Sequence, residues 1–239
     1  MQSGIWKDSI YPYQVKPSPT YDTTIPVGKR HGNYITLKGW LVPSDRGGDN
    51  GQNPAETMAV LDTTNKGVTL AYSSSSTVTG GLVYDLGVDL GTAWACKFQF
   101  RLDSLLGNDY YFINLTTEDK APWASTQESI SVQAQGSSYD RFTLNKNDNG
   151  TQTEDATSNS AWSVNTTYYC TLIRSGDTVS LKIMTGSYSG SVVDTLTRDI
   201  SGFTGSLRYL QHSTRGNTNG SYCTGWIRDV HFANGETTI

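Results

Sequence analysis

Glutamate and alanine are scarce in this chain, at 5 and 11 of 239 residues. Helices draw heavily on both, so their shortage excludes an all-helical protein. Charge is thin as well, at 17 % of residues with a net charge of −4. A nucleic-acid binder would carry a basic stripe for phosphates, and a disordered acidic tail would carry a carboxylate run. Neither pattern is present. No apolar run approaches the roughly 20 residues of a membrane-spanning helix, so no membrane span is expected. The opening Met1-Gln-Ser-Gly-Ile-Trp6 lacks the basic and apolar regions of a signal peptide. Cys96, Cys170 and Cys223 are widely spaced with no C-x-x-C. Structural zinc and thioredoxin-like redox chemistry lose support, and the cysteines read as buried small hydrophobes.

Proline is almost missing after residue 54: six of seven precede it and only Pro122 follows. Proline removes a ladder donor and fixes φ. Residues 1–33 therefore read as an extended arm, and residues 34–239 as one sandwich domain. The arm carries Trp6, Tyr11, Tyr13 and Tyr21. A solvated linker has little use for such rings, so these four are expected to contact the domain or a like subunit.

What the chain does have is 24 glycines, 26 serines, 31 threonines, 14 tyrosines and 6 tryptophans. Strand formers and turn formers dominate. The clearest strand is Ala93–Leu102, with Trp94, Cys96, Phe98 and Phe100 on one face and Lys97, Gln99 and Arg101 on the other. That period-two alternation puts one side in a core and the other in water.

Further strands are expected at Tyr34–Val42, Thr57–Asp62, Gly67–Tyr72, Leu82–Leu86, Asp109–Thr116, Ser129–Ala134 and Tyr139–Asn145. Thr167–Arg174 and Thr178–Met184 read as a hairpin across Ser175-Gly176-Asp177. Val192–Ile200, Leu207–Gln211 and Tyr222–Phe232 complete the set. Ile227 is out of phase with Val230 and Phe232, which predicts a bulge. The segment after Asn149-Gly150 reads as a polar loop. About a dozen strands with no fixed-period repeat and no helix make an all-β, two-sheet antiparallel sandwich with an extended N-terminal arm.

Three stretches carry a family resemblance. The first is Tyr84-Asp-Leu-Gly87 leading into Trp94-Ala-Cys-Lys-Phe-Gln-Phe100. The second is Ile173-Arg174-Ser-Gly176-Asp-Thr-Val179 inside its hairpin. The last is Gly225-Trp-Ile227-Arg-Asp-Val230 near the end. Together they resemble the concanavalin A-like lectin/glucanase superfamily, nearest its laminin-G-like branch, over about residues 57–235. The resemblance implies a jelly roll with one curved sheet, whose ligands meet the concave face or rim loops. The superfamily holds lectins, carbohydrate-binding modules, glycosidases, polysaccharide lyases and virion proteins, so fold alone does not choose among them.

Catalytic groups are hard to find. A retaining glycosidase needs two carboxylates about 5–5.5 Å apart, which on a strand means alternate residues. Glu56, Glu118, Glu128, Glu154 and Glu236 show no such spacing. Glu118-Asp119 and Glu154-Asp155 read as solvated loop charges. Lyases of the resembled fold rely on His, Tyr, Arg and Gln from neighbouring strands. Gln211-His212 lacks the intervening residue of their Q-x-H element, and His212 reads as a loop or strand-end residue. His31, His212 and His231 make no metal set. Calcium is the one ion with a pattern: Asn145-Lys-Asn-Asp-Asn-Gly150 starts like an EF-hand but lacks the closing glutamate. Asp45, Asp49 and Asn50 form a second, weaker candidate. No cofactor is expected.

Aromatics remain. Trp40, Trp94 and Trp226 read as core residues. Trp123 and Trp162 sit in loop sequence, and Tyr139-Asp140-Arg141 sets an aromatic beside two hydrogen-bonding charges. Sugars stack on exposed rings while polar neighbours bind their hydroxyls. Trp123, Tyr139, Asp140, Arg141 and Trp162 are thus the candidate ligand site, while Trp123 and Trp162 read first as loop rings that plug an open end of the sandwich. The sequons at Asn114, Asn149, Asn165 and Asn219 are explained by chance. The expectation is a non-catalytic structural or adhesion protein at a virion or extracellular surface. It would contact like subunits and bind surface glycans. A stand-alone lectin-like module and a polysaccharide glycosidase or lyase are the alternatives.

Overall fold

A computed structural model describes residues 34–36, 59–62, 67–73, 79–106, 110–118, 127–136, 140–149, 151–215 and 222–238. The arm, with Trp6, Tyr11, Tyr13 and Tyr21, lies outside the described residues, as do Trp40 and the Asp45–Asn50 segment. Among the described residues there is no helix. The strands are β1 (Tyr34–Thr36), β2 (Ala59–Asp62), β3 (Gly67–Ser73), β4 (Thr79–Leu90), β5 (Ala93–Leu106), β6 (Tyr110–Thr116), β7 (Glu128–Gln135), β8 (Arg141–Asp148), β9 (Thr151–Ala161), β10 (Thr167–Ser175), β11 (Thr178–Thr185), β12 (Ser191–Asp199), β13 (Leu207–Arg215) and β14 (Tyr222–Asn234).

They form two antiparallel sheets. One has eight strands in the order β12-β11-β10-β5-β14-β3-β2, with β1 also on β14. The other has six, in the order β4-β13-β6-β7-β8-β9. Consecutive hairpins (β10-β11-β12 and β6-β7-β8-β9) are joined to distant strands by the pairings β10-β5, β5-β14, β14-β3, β4-β13 and β13-β6. The core lies between the sheets. Trp94, Phe98, Phe100, Phe142 and Phe232 are fully buried there. Phe142 of β8 meets Phe100 of β5 edge-on at 5.6 Å and Tyr168 of β10 at 5.0 Å, so aromatic rings from both sheets interlock. Each such ring contributes roughly 1.5–3 kcal/mol through removal from water.

The alternation in β5 holds: Trp94, Cys96, Phe98 and Phe100 are buried, and Lys97, Gln99 and Arg101 are half-buried on the other face. The thiols of Cys96 and Cys170 are free and buried. Burial pushes both thiols well up, and Cys170 adds to the effect on Cys96, so they act as apolar filling. The expected bulge in β14 is present. Its register against β5 shifts between Arg228 and His231, and Asp229 takes a φ of 50°. The shift lets Ile227, Val230 and Phe232 all reach the core. A second shift in β14 falls at Gly225, where a Cβ would strike the Arg101 carbonyl oxygen. Only glycine fits that approach.

Four expectations are corrected. The segment after Asn149-Gly150 is strand β9, not a loop, and it carries Glu154-Asp155. Its sequence has almost no apolar residue, so no alternation marks it. Pairing with β8 makes it a strand, and the Ser158 hydroxyl accepts the Phe142 N–H at 2.9 Å. As the outermost strand of its sheet it suits a polar sequence. β4 is 12 residues long rather than short. His212 lies inside β13, paired with Leu82, rather than at a strand end. Trp226 is half-buried rather than in the core, with the Arg228 guanidinium 3.7 Å from its ring centroid.

Candidate functional site

The six-stranded sheet has an apolar face and a second face of unusual chemistry. On β7, Ile130, Val132 and Ala134 enter the core, which turns Ser129, Ser131 and Gln133 the other way. On β8, Phe142 and Leu144 enter the core, leaving Thr143, Asn145 and Asn147 opposite. On β6, Ile113 and Leu115 alternate with Asn114 and Thr116, and on β13 Leu210 is followed by Gln211.

Strand pairing assembles these residues into rows. Gln211, Asn114, Ser131 and Asn145 stand side by side across β13, β6, β7 and β8, and Glu154 of β9 follows in register. Tyr209, Thr116, Ser129 and Asn147 form the next row, followed by Gln152. Tyr111, Gln133, Thr143 and Thr157 form the third. Residues paired this way have Cβ atoms about 4.5–5.5 Å apart, so each row is a continuous strip.

An outward sheet face normally carries Lys, Glu and Arg in water. Here Asn114, Thr116, Ser129, Ser131, Gln133, Thr143, Asn145, Asn147 and Gln211 are each at most 3 % exposed. Part of this polar floor is tied within the sheet. Gln211 Nε2 donates to Thr116 Oγ1 at 2.9 Å, and Thr116 Oγ1 donates to the Glu118 carbonyl at 2.7 Å. Asn114 Nδ2 donates to the Gln211 carbonyl at 3.3 Å, and Asn147 Nδ2 to the Gln127 carbonyl at 3.0 Å.

The centre of the floor is different. Both amide atoms of Gln133, both of Asn145 and the Thr143 hydroxyl are buried with no hydrogen-bond partner. Leaving such a group unmade costs about 1–3 kcal/mol. Three adjacent residues in that condition set this floor apart from the outer face of the other sheet.

Glu128 is the buried carboxylate nearest this face in sequence, and it serves structure. Its Oε1 accepts the Thr204 N–H at 2.7 Å and the Thr204 hydroxyl at 3.0 Å. Its Oε2 accepts the Gly205 N–H at 2.7 Å. It ties the loop before β13 to β7.

The expected site residues fare unevenly. Trp123 and Tyr139 lie outside the described residues. Asp140 is exposed, has a φ of 42°, and its carbonyl accepts the Trp162 backbone N–H at 2.7 Å. Arg141 is exposed at the start of β8, opposite Gln135. Trp162 is 6 % exposed, with its indole N–H donating to the Gln135 carbonyl at 2.8 Å, the arrangement of a ring that plugs the sandwich rather than one that offers a face. The incomplete calcium pattern falls on a strand. Asn145–Asp148 lie on β8 with alternating directions, so they cannot wrap an ion as a loop does. Among the described residues no group of three or more His, Cys, Asp or Glu could hold a metal. Asn114 is fully buried, so that sequon is closed in the folded state.

Sequence reasoning did not single out Gln133 and Thr143, and weighed Asn145 only for calcium and Gln211 only for a lyase element. A signal existed: in Ser129-Ile-Ser-Val-Gln-Ala134 and Phe142-Thr-Leu-Asn145 the polar face is all amide and hydroxyl, unlike the charged face of β5.

No protein-family model matches the chain. No curated protein matches it in sequence. Solved structures do match in shape. The exoplasmic/lumenal domain of VIP36, in a form bound to Ca2+ and Man3GlcNAc, superposes with a TM-score of 0.55 at 9 % identity, over 74 % of this chain and 83 % of that one. Alginate lyase A1-II', of polysaccharide lyase family 7, gives 0.52 at 11 % identity over 78 % and 86 %. Lectin II from Ulex europaeus gives 0.51 at 10 % identity over 84 % and 92 %. At these identities the likeness is one of fold: the chain is a concanavalin A-like jelly roll, an architecture shared by lectins and carbohydrate-active enzymes.

Proposed function

We propose that this jelly roll binds a glycan on the outer face of its six-stranded sheet and does not cut it. The observation that carries the reading is the partnerless trio Gln133, Thr143 and Asn145 at the centre of that face. Sugar hydroxyls both donate and accept, so they can complete an amide and a hydroxyl together. The floor is rigid because each side chain stands on a paired strand, which reduces the ordering cost of binding. Non-catalytic binding is favoured because the described floor side chains of β6, β7 and β8 include no carboxylate or imidazole to act as acid or base. The likeness to lectins supports the same reading at the level of fold.

Glycan-array binding by the full chain, by Gln133→Met and by Thr143→Val tests it, with circular dichroism checking each fold. Both changes remove polar atoms at nearly constant volume. The expected result is a loss of about tenfold or more in affinity. Binding that survives both changes overturns the site, and no binding to any glycan overturns the class.

One observation favours a second reading, a polysaccharide lyase. Tyr111 stands opposite Gln133 in register, and Arg141 opposite Gln135, which brings three residue types used by such lyases to adjacent strands. Ultraviolet absorbance of an unsaturated uronate, released from polyuronate by the purified chain, would establish it.

The wider setting we propose is adhesion at a virion or cell surface, with residues 1–33 contacting a like subunit. Light scattering of the full chain and of the chain lacking residues 1–33 tests that part. Two identical monomers overturn it.

A further inference from the structure

Resting on the glycan-binding reading, we infer that the ligand of this face is an uncharged glycan rather than a polyuronate or a sulfated chain. The register partners of Gln133, Thr143 and Asn145 at the centre of the floor include no Lys, Arg or His, and the Arg208 guanidinium lies 5.9 Å from the Tyr209 ring centroid. Arg141 lies one row beyond Gln133, at the exposed end of β8. A polyuronate places a carboxylate on every sugar. Desolvating that charge against Gln133, Thr143 and Asn145 has no compensating ion pair. An uncharged sugar presents only hydroxyls, ring oxygens and C–H faces. Those match the amides of Gln133 and Asn145 and the hydroxyl of Thr143 without a charge to neutralise.

The consequence is a specificity set by desolvation as well as by attraction. Amides read hydroxyl geometry, while the absence of a cation at the centre of the floor disfavours anionic chains. Because no ion pairs are involved, binding should be insensitive to salt.

Affinity electrophoresis of the full chain tests this, in gels holding either neutral polymers (a glucan, a mannan, a galactan, a xylan) or anionic ones (alginate, polygalacturonate, a sulfated galactan). The expected result is retardation by at least one neutral polymer, unchanged between low and high salt and weakened about fivefold or more in Thr143→Val. Retardation only by an anionic polymer, abolished by high salt, overturns the inference while leaving glycan binding in place. Retardation by none of the polymers overturns the glycan-binding reading itself, and this inference with it.

Discussion

The outer faces of the two sheets invite comparison, because both are polar and both point away from the shared core. On the eight-stranded sheet the face carries Lys97, Gln99, Arg101, Trp226 and Arg228. Its charges are matched locally: Arg101 Nε donates to Asp103 at 2.6 Å, Arg101 also donates to Asn165 at 2.8 Å, and Gln99 donates to Asp229 at 2.9 Å. Lys97 sits 5.6 Å from the Tyr188 ring centroid, and Arg228 sits over Trp226. Lys97, Gln99, Arg101, Trp226 and Arg228 are half-buried, and Arg228 Nε alone among them is buried without a hydrogen-bond partner. On the six-stranded sheet the face is amide and hydroxyl, shielded, and incomplete at Gln133, Thr143 and Asn145. The lesson is that polarity alone does not identify a binding face. Shielding combined with missing partners separates the two faces, since a solvated charge is already satisfied and a buried amide is not.

The strongest way to break this comparison is to place the same change on both faces. Gln133→Glu puts a carboxylate among partnerless amides. A loss of about 3 kcal/mol or more is expected at neutral pH. Burial raises the folded pKa of the new carboxyl above its unfolded value. The folded state therefore holds the extra proton, and the deficit should shrink as pH falls toward the unfolded pKa. Gln99→Glu on the other face is expected to cost no more than about 1 kcal/mol, from its proximity to Asp229. Urea unfolding of both variants at neutral and acidic pH checks the pair, and equal losses would show that the two faces do not differ.

A smaller effect sharpens the contrast within the six-stranded sheet. Glu128 is buried and charged, yet three donors meet it. Glu128→Ala should destabilise the chain by about 2–3 kcal/mol by freeing the Thr204–Gly205 loop. Thermal melting and amide exchange at Thr204 and Gly205 report it. If the melting point holds, Glu128 is not the tie the geometry describes.

The smallest effects separate binding from stability. Thr143→Val removes an unmet hydroxyl and should leave stability unchanged or raise it by up to about 1 kcal/mol, while glycan affinity falls. Arg228→Gln removes the cation from Trp226 and should cost about 0.5–1 kcal/mol with glycan affinity unchanged. Isothermal titration beside denaturant unfolding measures both quantities. Affinity lost through Arg228 instead would move the site to the other sheet.

Much of the fold can be read along the chain. The alternation of Trp94, Cys96, Phe98 and Phe100 announces a two-faced strand. Gly176 after Ser175 announces a hairpin, and the misphased Ile227 announces the bulge that Asp229 makes. The arm boundary at residue 33 and the four aromatics before it fall outside the described residues. β9 was hidden because nothing in Thr151–Ala161 alternates. The site was largely hidden too. Exposed-looking aromatics drew attention to Trp162, whose indole proves to be spoken for by Gln135. The amides of Gln133 and Asn145 look like ordinary loop-compatible polar residues until their strands are paired.

By itself the sequence determined which side of each strand is apolar, because a period of two is a local property of neighbouring residues. Only the tertiary structure decided which polar side is shut away from water. The rows on that side exist only because β13 inserts between β4 and β6, about a hundred residues from either in sequence. Shielding and unmet hydrogen bonds are properties of an assembled surface, and no single strand carries them.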